Sequence, residues 1–269
     1  MRRAAASPGV CVLVGVGATL LASCDFSAAR DTRPWQLEVQ VDADGRVPAV
    51  GPLRIALDRR LSPWSVDRAS VSLTSGNVGE WTFPSTDPTR NELVIELARP
   101  LLPETSYVIT LRALEALDGR VLAADRQLLV TSNDETELPP RPTFGEAAQV
   151  LELLRARCAG SGCHDATSRA SGLVLDGPDG IAETAIGQPA TEVALNVGID
   201  ARATGLWGLP IIAANGQSTS VGFSYLIYKV LGDPRVLGEV MPPPAVGAAL
   251  SAEEVELLAR WIRAGAPLE

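Results

Sequence analysis

Leu93-Val94-Ile95-Glu96-Leu97 and Tyr107-Val108-Ile109-Thr110-Leu111 set the class of the first half of this chain. In both, side chains fit a period of two with one buried face, as in a strand half-covered by a core. Working outward, Leu37–Val41, Leu53–Leu57, Ser70–Thr74, Glu80–Phe83 and Gln127–Thr131 have the same character and are separated by turn residues. Asp44-Gly45, Ser75-Gly76 and Asp118-Gly119 supply turns in which positive φ is tolerated. Seven short strands in roughly 100 residues predict a β-sandwich over 35–132. That region holds no His, no Cys and no paired carboxylates in a recognisable motif, so no catalytic constellation is expected there.

A charged, proline-rich link follows at 133–143, containing Pro139-Pro140-Arg141-Pro142, a composition that favours an extended, semi-stiff spacer. From Phe144 the period changes. Phe144, Ala147, Val150, Leu151, Leu154 and Ala156 recur near 3.6 and lead into Cys158-Ala159-Gly160-Ser161-Gly162-Cys163-His164. Near the C-terminus, Val240-Met241-Pro242-Pro243-Pro244 carries the only internal methionine. Ser251-Ala252-Glu253-Glu254 then reads as a capping box, opening a helix through Val255, Leu258, Trp261 and Ile262 that stops at Gly265 and Pro267. The expected fold class is therefore multidomain, β then α, with a mostly α region over 144–269.

Composition narrows what such a chain does. Its 269 residues are 46% hydrophobic and 20% charged, which excludes a disordered or collagen-like polymer. Acidic residues outnumber basic ones 32 to 23, a net charge of −9, so no electrostatic footprint for nucleic acid is present. Lys229 is the sole lysine, a skew expected to reflect genomic bias and to carry no chemistry. There is one histidine, His164, and no Gly-rich phosphate loop or Ser-based motif, so no enzymatic activity is expected.

The first residues read as an export signal. Arg2 and Arg3 precede an apolar run from Val10 to Ala22, about 13 residues, too short for the roughly 20 of a membrane-spanning helix. Leu21-Ala22-Ser23-Cys24 resembles the lipobox of bacterial lipoproteins. That resemblance implies a signal peptide over 1–23, a diacylglycerol on Cys24, an anchor-proximal linker over 24–34, and an exported protein held to an envelope membrane by lipid. Removing Arg2 and Arg3 with the signal leaves 21 basic against 32 acidic side chains.

Two cysteines followed directly by a histidine are the signature of c-type haem attachment. Each thiol adds across a haem vinyl group, and the adjacent histidine offers a ring nitrogen to the iron. The usual spacing is two residues; here four separate Cys158 from Cys163, and Gly160, Ser161 and Gly162 are types that let the extra pair bulge. The same residues admit a local Cys158–Cys163 disulfide, favoured by an oxidising compartment, or a zinc site with its fourth ligand unnamed.

Family resemblances extend these readings. Leu57-Asp58-Arg59-Arg60-Leu61-Ser62-Pro63-Trp64-Ser65-Val66, Pro100-Leu101-Leu102-Pro103-Glu104-Thr105-Ser106-Tyr107 and Leu117-Asp118-Gly119-Arg120-Val121-Leu122 resemble bacterial Ig-like domains of the surface-layer-associated kind. This implies an immunoglobulin-type sandwich acting as spacer or docking module. Met241-Pro242-Pro243, the Ser251 helix, Gly172-Leu173-Val174-Leu175 and Ser224-Tyr225-Leu226-Ile227-Tyr228-Lys229-Val230 resemble class I and planctomycete-type cytochromes c. The resemblance implies one covalent haem c on Cys158 and Cys163, with His164 proximal and Met241 distal to the iron, and one-electron transfer. Trp261 is expected in the core, and Tyr225 and Tyr228 in the core in preference to a haem propionate. Over 144–269 there are 14 acidic and 8 basic side chains, so a redox protein partner is expected to dock through a basic face. The alternative is a haem-free envelope lipoprotein with a scaffold or binding role and a Cys158–Cys163 disulfide.

Overall fold

The alternation around Leu93 and Tyr107 produces two antiparallel sheets in the computed structural model, which describes residues 34–137, 145–190, 206, 208–214, 221–236 and 238–269. The expected signal, lipidation site and anchor-proximal linker fall almost wholly outside those residues. The strands are β1 (Leu37–Val39), β2 (Leu53–Leu57), β3 (Val71–Ser75), β4 (Val78–Glu80), β5 (Thr82–Asp87), β6 (Glu92–Leu97), β7 (Ser106–Leu111) and β8 (Arg126–Thr131). One sheet has the order β1-β2-β6-β5, the other β4-β3-β7-β8.

Register follows from the period. Leu53 pairs with Ile95 and Ile55 with Leu93 in the first sheet; Val71 pairs with Leu111 and Leu73 with Ile109 in the second. These eight side chains are buried in one core, so the two inner faces pack against each other as a sandwich. Each stabilises the fold by about 1.5–3 kcal/mol relative to exposure. Tyr107 reaches out of this core to accept a hydrogen bond from the Leu102 backbone N–H at 2.9 Å, the arrangement of a tyrosine corner. The three predicted turn glycines, Gly45, Gly76 and Gly119, all have positive φ.

The run Glu80–Phe83 reads as one strand but is two. β4 ends at Glu80 and β5 begins at Thr82 in the other sheet, so the chain crosses between sheets at Trp81. Trp81 is 56% exposed, with the Arg68 guanidinium 3.2 Å from its ring centre. The alternation runs through the crossing without a break, although Val78, Trp81 and Phe83 are all more than half exposed and Thr82 is the residue turned inward.

Helices occupy the second half: α1 (Ala147–Cys158), α2 (Pro178–Thr184), α3 (Tyr225–Val230) and α4 (Ala252–Arg263). The capping box forms as its sequence dictates. Ser251 Oγ accepts from Glu254 N, and the Glu254 carboxylate accepts from Ser251 N at 2.7 Å. Trp261 is fully buried among Val150, Leu154 and Leu258, its indole N–H donating to the Pro267 carbonyl at 2.7 Å. Arg260 clamps both oxygens of Glu146 at 3.0 and 2.8 Å, tying α4 to the start of α1.

Strands and helices belong to one compact unit, Trp35–Glu269. Their junction is tight and charged. A β-carbon on Gly222 would lie 1.9 Å from Thr86 Oγ1 and 2.6 Å from its carbonyl oxygen, so only glycine lets the backbone approach β5 this closely. Asp87, 2% exposed, accepts from Arg263 of α4 at 2.7 Å and from the Thr89 hydroxyl at 2.6 Å. Arg60 reaches Asp233 at 3.0 Å, and Phe223 meets Trp64 edge-on with ring centres 5.3 Å apart. Leu117 joins Leu209, Tyr225 and Tyr228 in a small shared core.

Burial pushes the Asp87 carboxyl up, but the Thr89 hydrogen bond and the Arg263 charge outweigh it, holding Asp87 below the ordinary carboxylate range. A depressed folded-state value means stabilisation that is present above the unfolded value of 3.8 and is lost as pH falls through the folded one. Asp87→Asn is expected to cost about 2 kcal/mol at neutral pH, since Arg263 keeps Glu256 as a partner. Denaturant melts of both proteins across pH 3–7 should show the gap closing in acid; a gap independent of pH would contradict the charge-based account.

Candidate functional site

α1 delivers Cys158 on its last turn, and the following loop folds back under it. The His164 N–H donates to the Cys158 carbonyl at 3.2 Å and the Cys163 N–H to the Gly160 carbonyl at 2.9 Å. Gly162 supplies a φ of +85°, and its N–H donates to Ser168 Oγ. Asp165 accepts from the backbone N–H groups of Ser168 and Thr167, which hold its carboxyl below the usual range. The extra residues between the cysteines are thus absorbed in a hydrogen-bonded turn.

His164 is oriented by its neighbours on both sides. Its carbonyl accepts from Leu175 N at 2.7 Å, and its ring Nδ1 lies 3.0 Å from the Ala170 carbonyl oxygen. A carbonyl can only accept, so Nδ1 carries the proton and Nε2 keeps the lone pair. That is the tautomer lock found behind metal-bound histidines.

Met241 arrives from the other end of the chain. Its N–H donates to the Lys229 carbonyl of α3 at 3.3 Å, and Arg157 of α1 donates to the carbonyls of Ala248 and Ala249. The segment carrying the methionine is therefore fastened to both helices.

These residues meet in one cavity of about 350 Å³. Cys158, Cys163, His164 and Met241 all line it, and its apolar walls include Leu173, Leu175, Ile211, Leu226 and Val230. A mostly apolar hollow with a few convergent polar groups is the form of a small-molecule or cofactor site. The two cysteines are free thiols. Burial pushes the Cys158 thiol up to about 11, against the opposing charge of Arg157. Among the described residues, no three His, Cys, Asp or Glu side chains cluster to hold a metal ion, which gives the zinc alternative no support.

The donor set suits a covalently held porphyrin better than a bare ion: two thiols, one imidazole with a free Nε2, one thioether and apolar walls. Tyr225 lines the cavity, whereas Tyr228 is fully buried elsewhere, its hydroxyl donating to the Gly222 carbonyl. Lys229, expected to carry no chemistry, stands in the cavity wall, as does Arg157. A lone lysine inside the apolar run Tyr225–Val230 was the available signal.

No family model and no curated protein matches the chain. Among solved structures, the N-terminal part of the bacterial S-layer protein SbsC is similar to 38% of this chain and 24% of that one, at 14% identity and a TM-score of 0.28. Domains 1–6 of surface layer protein SbsC are similar to 42% of this chain and 15% of that one, at 15% identity and a TM-score of 0.28. The chain spans about a quarter or less of the length of these structures. No helix among the described residues is long and apolar enough to cross a membrane.

In the folded, cofactor-free chain, alkylation of Cys158 at pH 8 should run about 100-fold slower than in denaturant, because so little thiolate is present. Peptide mapping after timed labelling measures this. Equal rates in both states would place Cys158 outside the cavity wall.

Proposed function

We propose that this chain is a lipid-anchored, exported, c-type cytochrome-like protein that carries one covalent haem for one-electron transfer in the cell envelope. The observation carrying the reading is the convergence of Cys158, Cys163, His164 and Met241 on one apolar cavity, with His164 Nδ1 already occupied. His164 and Met241, 77 positions apart in sequence, line the same hollow.

An iron porphyrin supplies a one-electron couple when bound. The chain's contribution is to hold and tune it. Cys158 and Cys163 provide the two sulfurs for thioether links, His164 offers Nε2 as proximal ligand and Met241 its sulfur as distal ligand. Held by an imidazole and a thioether together, such an iron would favour electron transfer over oxygen chemistry, and the thioether would raise its reduction potential. Leu173, Leu175, Ile211, Leu226 and Val230 give the site an apolar lining. The β-sandwich, of Ig-like surface-layer type in this reading, serves as a spacer or docking module. The lipid on Cys24 fixes the protein to a membrane, and the acidic second half meets a redox partner through that partner's basic face.

Expression of the full chain with a c-type maturation system should give a covalently haem-stained band and a sharp α-band on reduction. A colourless product of unmodified polypeptide mass, with Cys158 joined to Cys163, would instead make it a haem-free envelope scaffold. In the haem-bearing protein, Met241→Ala should lower the potential by on the order of 100 mV or more, the span over which axial ligands act. An unchanged potential removes Met241 from the iron. Cys24→Ser should move the protein from the membrane fraction to the soluble one; continued sedimentation with membranes would count against the lipid anchor.

A further inference from the structure

A sheet edge leaves backbone N–H and C=O groups unpaired, and folds blunt such edges by shortness, proline or cover. Three of the four edges of this sandwich are blunted. β1 and β4 have three residues each, while β5 contains Pro84 and carries the Gly222 backbone against Thr86. The fourth edge, β8, runs six residues with no proline. Its C-terminal end is closed by Val47, whose N–H donates to the Thr131 carbonyl at 2.9 Å. That bond shows which way the strand faces. The Thr131 carbonyl points away from β7, and alternation turns the N–H and C=O of Leu129 and Gln127 the same way. Among the described residues, none hydrogen-bonds Leu129 or Gln127 on that side. Both side chains are exposed, and Leu129, at 75%, is the most exposed large apolar residue among those described.

We propose that β8 is a self-association edge whose partner is β8 of a second copy, joined antiparallel about a two-fold axis at Leu128. Gln127 of each copy then exchanges both backbone hydrogen bonds with Leu129 of the other. The two sheets of order β4-β3-β7-β8 become one continuous sheet. A two-fold contact is self-complementary, so a single surface supplies both halves. Charge selects the direction. Each copy carries a net −9, which opposes indiscriminate association. Along the edge, however, the charge is asymmetric. Arg126 opens the strand beside the Arg112–Asp125 pair, and exposed Asp134, Glu135 and Glu137 follow its end. Antiparallel pairing turns the Arg126 end of each copy toward the acidic end of the other, whereas parallel pairing would set acid beside acid. A contact this narrow falls below the ~1,200 Å² at which stable complexes begin, so the dimer is weak and reversible.

Sedimentation equilibrium of the full chain carrying Cys24→Ser, which removes the lipid, tests this under reducing conditions. The mass should rise from monomer toward dimer as concentration enters the range of weak complexes. Leu129→Pro removes an outward donor and no bond to β7, so it should fold normally and associate about tenfold or more weakly. Leu129→Ala keeps the backbone groups and should still dimerise. A wild type that stays monomeric throughout overturns the proposal and leaves the edge to an extended segment of a different protein. Association as strong in Leu129→Pro as in the wild type places the contact elsewhere and overturns it too. Should Leu129→Pro fail to fold, Leu129→Lys decides at the same exposed position: weakened association supports the edge contact, and unchanged association overturns it.

Discussion

Asp87 is a carboxylate taken almost wholly out of water at the end of a β-strand, and its guanidinium partner comes from the last helix of the chain. Desolvating a charge is expensive, so such a pair persists only where its hydrogen bonds are nearly complete. Here Thr89 and Arg263 complete them from one side and Glu256 balances Arg263 from the other. Next to the pair, Gly222 lets the backbone before α3 sit directly on Thr86. α3 carries Lys229 and anchors Met241, and α4 packs Trp261 against α1, which presents Cys158. The placement of the cavity walls thus depends on a junction that contains none of the cavity's chemistry.

Within the cavity, different forces act on different groups. The Ala170 carbonyl oxygen at Nδ1 gives His164 one defined tautomer. Burial suppresses the Cys158 thiolate, the form that reacts.

Local signals made much of this legible. Apart from Glu80–Phe83, which is two strands, the period-two runs match the observed strands to within a residue or two, and the Ser251 capping box formed as written, because both depend on neighbours close in sequence. The motif of Cys158, Cys163 and His164 together with Met241 named four side chains that do share a cavity. What sequence alone left out was long-range. The sheet crossing at Trp81 is hidden because the apolar pattern does not change there. The Asp87–Arg263 pair joins residues 176 apart, each of ordinary surface type. Lys229 was set aside as compositional, since a single cation in an apolar helix gains meaning only when the walls around it are known.

The closeness of Gly222 to Thr86 bears on how such a protein can evolve. Many multidomain proteins are assembled by shuffling, in which a sandwich is joined to whatever follows by a length of linker. Here the seam is keyed: the incoming backbone must be bare where the strand offers a hydroxyl, and an arginine must arrive where the strand ends in an acid. A helical half grafted onto an unrelated sandwich would meet neither condition. Inheritance of the two halves is thereby coupled, and substitutions along the seam should drift in pairs.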